Sequence, residues 1–140
     1  GLHSCSGLRC IRDNQKCKIA AARETVTRRK ERFIMAVEYM HIGIPITNKK
    51  QGMVYNEGAK FWVSNVDDYE YKIEYLKFEE GTPFPEVLHR NPHVAYKVDD
   101  LEKYVAEADG VIVDPMMANE KDHLAFVWKD GAILELYEEN

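Results

Sequence analysis

At 140 residues, 45% apolar and 31% charged, the chain suits one globular domain or two small halves sharing a core. No stretch of it approaches the ~20 consecutive apolar residues of a membrane span. The net charge of −5 is unevenly spread: residues 1–34 carry nine Lys/Arg against three Asp/Glu, residues 35–140 ten against twenty-one. A body at −11 repels phosphate within the Debye length, which argues against nucleic-acid binding by residues 35–140.

Residues 1–34 are expected to be a basic N-terminal extension, either a leader or an artificial addition, with Met35 a candidate natural start. The run from Lys16 to Phe33 contains no Gly or Pro and could form a basic helix. It lacks the apolar region of a secretory signal and is only weakly like an organelle presequence. Cys5, Cys10 and Cys17 match no common zinc spacing. With no cysteine in 35–140, disulfides cannot hold the body together, and a cytoplasmic setting is the default expectation.

Residues 38–46 (EYMHIGIPI) read as a strand with His41, Gly43 and Pro45 on one side and the isoleucines on the other. Residues 47–59 are polar with two glycines and read as a loop, where a helix would be shortened or missing. Lys60 to Val66 and Tyr71 to Phe78 form a hairpin, with Lys72, Glu74, Leu76 and Phe78 sharing one face. A loop holding Gly81, Pro83 and Pro85 then divides the chain into modules of about 38–80 and 90–138. His93 to Val98 is the next strand, followed by a helix from Leu101 capped by Asp99 or Asp100 and stopped by Gly110. Val111 to Asp114, Leu124 to Lys129 and Ala132 to Tyr137 complete the second module, the last two joined at Asp130-Gly131.

The two modules repeat a chemical theme. His41 and His93 each open a strand, and Glu74 and Glu135 each interrupt an apolar one, 33 and 42 residues further on. A carboxylate in such a setting is costly unless paired or bound to a metal. If first and last strands of each module are neighbours, the four side chains converge. Two imidazoles and two carboxylates suit an open six-coordinate site for Zn, Ni, Mn, Co or Fe. Taken singly, each has a bland reading, a core histidine or a solvated strand face. Their equivalent placement in both modules favours the metal.

The segments HIGI, KIEYL, PHVAYKVDDLE and AFVWKDGAILELYE resemble the vicinal oxygen chelate superfamily, over about residues 38–138. That superfamily comprises glyoxalase I, methylmalonyl-CoA epimerase, extradiol dioxygenases and the fosfomycin-modifying and bleomycin-binding proteins. The resemblance implies an α+β fold of two βαβββ modules curled into an open, cup-shaped mixed sheet. It places the metal ligands on His41, Glu74, His93 and Glu135, with Glu74 or Glu135 also carrying the proton. No glutathione- or CoA-binding motif is present to match.

The function expected is that of a metal-dependent lyase or isomerase acting on a small oxygen-bearing substrate. The alternatives are a non-catalytic drug- or metabolite-binding protein and an Fe(II) dioxygenase using His41, His93 and Glu135. Tyr55 and Trp62 are candidate pocket residues, with core packing the plainer reading. Met116-Met117 could form a lid, although plain packing is the simpler role. His89 and His123 read as surface residues and Lys49-Lys50 as a solvated pair. A homodimer is expected from pairing of exposed first strands or modules.

Overall fold

Strand alternation and turn chemistry place the elements close to where the sequence puts them. The structure, a computed structural model, describes residues 36–140; the basic segment, its expected helix and the three cysteines lie outside the described residues. Eight strands run as β1 (Val37–Pro45), β2 (Val54–Asn56), β3 (Phe61–Val63), β4 (Ile73–Phe78), β5 (His93–Val98), β6 (Gly110–Met117), β7 (His123–Lys129) and β8 (Ala132–Glu138). Helix α1 (Glu86–Arg90) lies between the modules and α2 (Leu101–Ala106) within the second. A 3-10 turn at Val66–Asp68 joins β3 to β4, with Asn65 accepting a hydrogen bond from Asp67 N.

The strands form one mixed sheet in the order β2-β3-β4-β1-β5-β8-β7-β6, strongly curled into an open α+β cup. Each half of that order mirrors the other. The first and last long strands of each module pair in parallel, β1 with β4 and β5 with β8. The modules meet at the antiparallel β1–β5 seam. No helix occupies the first module between β1 and β2; residues 46–53 are loop, as the glycines and polar residues there predict.

Local chemistry explains the second module closely. Asp100 caps α2 by accepting from Lys103 N at 3.3 Å, and Glu138 of β8 accepts from Leu101 N at 2.6 Å. Two of the N–H groups left free at the helix start are thereby satisfied. Asp130 and Gly131 both have positive φ, 52° and 78°, the pair of values that a two-residue hairpin with native twist requires. On the sheet face opposite the histidines, Val98, Leu101, Ala125, Val127 and Leu136 form the core beneath α2. On the histidine face, Leu88 of α1 packs with Phe126 and Ile133. Burial of a large apolar side chain contributes about 1.5–3 kcal/mol, so α1 is tied down chiefly by Leu88.

Several differences from the sequence reading concern length: α2 ends at Ala106, Gly110 opens β6 in place of stopping the helix, and β3 is three residues where Lys60 to Val66 was expected. A three-residue strand, β2, lies within the expected loop 47–59 and pairs with β3. Strand β6 continues through Pro115 to Met117, with Met116 and Met117 level with Leu124 and His123. Met116-Met117 is therefore edge strand, where Pro115 is tolerated, and not a lid.

Candidate metal centre

The pairing register carries the duplication down to single residues. Gly43 of β1 is level with Glu74 of β4 and with His93 of β5. Ala95 of β5 is level with Glu135 of β8 and with His41 of β1. Two rows thus cross the seam, Glu74-Gly43-His93 and His41-Ala95-Glu135, each joining the histidine of one module to the glutamate of the other. A small residue separates the pair in both rows, which leaves room for the long side chains to meet above it. At Gly43 this is a strict requirement, because a Cβ there would overlap the ring of His93.

His41 Nε2 lies 3.3 Å from Glu74 Oε1 and 3.4 Å from Glu135 Oε2. The two imidazole rings are 5.9 Å apart and edge-to-face. Donor atoms of His41, Glu74 and His93 all lie within 4.8 Å of one another, a set able to hold one ion. Among the described residues this is the one such group, and Glu135 lies outside it while touching His41.

Burial sets the protonation states. His41, His93 and Glu135 are buried. Desolvation lowers His41 to about 4, and lowers His93 to about 4 with help from His41. It raises Glu74 to about 7, and raises Glu135 to about 8 with help from the Glu74 charge. Both shifts favour the neutral forms, so the short His41–carboxyl distances owe little to ion pairing. They do not make good hydrogen bonds either. His41 Nε2 and both ring nitrogens of His93 are buried without a hydrogen-bond partner. Such groups cost roughly 1–3 kcal/mol each when left unsatisfied, and a cation in the triad would satisfy one nitrogen of each imidazole.

Beside the triad, Phe61, Leu76, Phe78, Phe84, Leu124 and Phe126 wall a chamber of about 70 Å³. Tyr55 and Trp62, expected to line it, do not. Trp62 is level with Lys77 and Tyr55, whereas Phe61 is level with Phe78, so alternation turns Tyr55 and Trp62 to the other face. There Trp62 packs against Tyr55 with ring centres 4.9 Å apart, donates to Glu79 at 3.1 Å and lies beneath Lys49. Lys50 similarly covers Tyr75, so the lysine pair is engaged with aromatic faces. Phe84 and Phe126 are the chamber residues that the sequence reading missed. For Phe126 the signal was present, since it alternates with Leu124 on the face of Glu135. His89 stacks on Phe78 at 4.3 Å, and His123 meets Asn140 at 3.0 Å; both stand outside the donor set.

The fold is similar to that of the hypothetical protein BH1468 from Bacillus halodurans C-125, with a TM-score of 0.54 and 22% identity over 74% of this chain and 95% of that one. At that identity the likeness bears on the fold alone. No protein-family model matches the chain, nor does any curated protein. The curled sheet, its mirrored strand order and the candidate His-Glu-His site are consistent with a vicinal oxygen chelate-like, glyoxalase-like cup.

Proposed function

We propose that the protein is a divalent-metal-dependent enzyme of the vicinal oxygen chelate type, a lyase or isomerase acting on a small oxygen-bearing substrate. One observation carries the reading: buried ring nitrogens of His41 and His93, without hydrogen-bond partners, lie within ligand reach of the Glu74 carboxyl inside the cup. His41, Glu74 and His93 would hold the ion. Three protein ligands leave coordination positions open, and a bound Zn, Ni, Mn, Co or Fe ion would polarise adjacent substrate oxygens.

Proton movement falls to Glu135. Read from sequence as a fourth ligand, it stands just outside the donor set with Oε2 against His41. In the metal-free protein burial lifts its carboxyl to about 8, and a cation held by its neighbours would lower it, leaving a carboxyl placed to pass a proton. Glu74, whose carboxylate oxygen lies in the mutual donor set, is the better-placed ligand. Phe126 and Phe84 would supply an apolar wall beside a substrate bound there.

Elemental analysis of purified protein tests the first part: about one metal per chain is expected, lost in His93→Ala. Solvent deuterium exchange into hydroxyacetone, followed by NMR, tests the second. Exchange by the metal-loaded protein, absent with a chelator, is the expected result. A second reading rests on the composition of the triad, since two imidazoles and one carboxylate are also the donor set of non-haem iron oxygenases. Oxygen uptake with Fe²⁺ and catechol, without deuterium exchange, would favour it, with Glu74 as the carboxylate.

A further inference from the structure

Phe84 is the hub of the histidine face. It comes from the Pro83-Phe84-Pro85 run between the modules, and its ring lies 5.7 Å from Phe61, 6.0 Å from Phe78 and 5.8 Å from Phe126. Its position is fixed from several directions. The flanking prolines restrict φ on both sides. His89 Nε2 lies 2.8 Å from the Phe84 carbonyl oxygen while its ring stacks on Phe78. Leu88, only 1% exposed, anchors the short helix that follows.

The consequence is a small, apolar chamber beside the triad. At about 70 Å³ it has roughly half the volume of the ~150 Å³ cavity known to admit benzene. The ionisable side chains lining it are His93, Glu74 and Glu135, and no Lys or Arg is among them. A phosphate or an additional carboxylate would enter without a cationic partner beyond the ion itself, against two carboxyl groups. The phenylalanine rings that wall it leave less room for an aryl group than for a methyl group.

We propose that Phe84 determines specificity by limiting the substrate to a short, uncharged alkyl group attached to its pair of oxygens. This rests on the metal reading above and narrows it to a substrate class. Acetohydroxamate and benzohydroxamate test the idea, because both chelate through the same two oxygens and differ in carrying a methyl or a phenyl group. Their binding to cobalt-loaded protein is read from the visible spectrum of the ion, and cobalt content is measured on the same sample.

Native protein is expected to bind acetohydroxamate about tenfold or more tightly than benzohydroxamate, the usual scale of pocket discrimination by size. Phe84→Ala should tighten benzohydroxamate about tenfold while changing acetohydroxamate by less than about threefold. Phe84→Leu, a milder truncation, should move both probes in the same directions if the alanine variant does not fold. Native cobalt-loaded protein that binds the phenyl probe as tightly as the methyl one overturns the inference, as does an affinity ratio of the two probes that is unchanged in both variants. Protein that takes up no cobalt overturns the metal reading instead, and the substrate inference with it.

Discussion

Gly43 and His93 face each other across the β1–β5 seam, and the imidazole of His93 occupies the space that any Cβ at position 43 would need. The glycine is therefore part of the site although it carries no donor atom. Its counterpart, Ala95, lies level with His41 and is fully buried, so the second row tolerates a methyl group where the first tolerates none.

Gly43→Ala is expected to displace the His93 ring while leaving the strand intact, since Gly43 lies mid-strand and is not among the positive-φ residues. Overpacking of this kind costs about 1–3 kcal/mol of stability. Metal affinity should fall by about 10–100-fold, the range seen when a residue that orients a ligand is altered. Metal titration and thermal melting of the same variant check both numbers. Unchanged metal affinity would show that His93 is not a ligand.

Glu74 and Glu135 should separate by role. Glu74→Gln removes a member of the mutual 4.8 Å donor set and should abolish stoichiometric metal binding. Glu135→Gln keeps the shape of a residue outside that set and should retain the metal. It should lower proton exchange by about 10²–10⁴-fold, the usual contribution of a positioned acid or base. Retained exchange in Glu135→Gln would move the proton-carrying role elsewhere.

Leu88→Ala should destabilise the protein by about 2–5 kcal/mol, because the side chain is nearly fully enclosed and α1 has few other apolar anchors. Denaturant unfolding measures this directly. The neighbouring exposed pair Arg90–Glu86 should matter little, and Arg90→Ala is expected to cost less than about 1 kcal/mol.

How much of this was readable in advance depended on range. The strand β5, the cap at Asp100 and the Asp130-Gly131 turn follow from signals within a few residues, and each stands where those signals put it. The convergence of His41, Glu74 and His93 was legible because module repetition stands in for long-range information. The place of Glu135 beside the donor set rather than within it was not, since it depends on side-chain placement. Tyr55 and Trp62 failed as pocket residues because the register of β3 decides which alternate set faces inward. Phe84 was invisible for another reason: its role arises from a loop crossing the cup, and no periodicity marks a loop.

The pH dependence follows from the four buried groups taken together. Glu74 and Glu135 ionise near 4.5 in an open chain but at about 7 and about 8 in the fold. Between those values the folded protein holds more protons than the unfolded chain, so their effect is a stability that falls as pH rises. His41 and His93 ionise near 6.5 in an open chain and at about 4 in the fold. There the unfolded chain holds more protons, and stability rises with pH across that window. The two effects oppose each other between about 4.5 and 6.5, and only the carboxyl effect persists from about 6.5 to 8. Metal-free protein should therefore show a melting temperature that declines from pH 6.5 to 8. With metal bound, carboxylate and imidazole are needed in their unprotonated forms, so binding releases protons and strengthens across the same interval. The melting temperature of the loaded protein should then rise or hold level where that of the metal-free protein falls. Parallel thermal scans with and without Ni²⁺ at four pH values would decide it, and curves that run together would mean the ion does not meet these side chains.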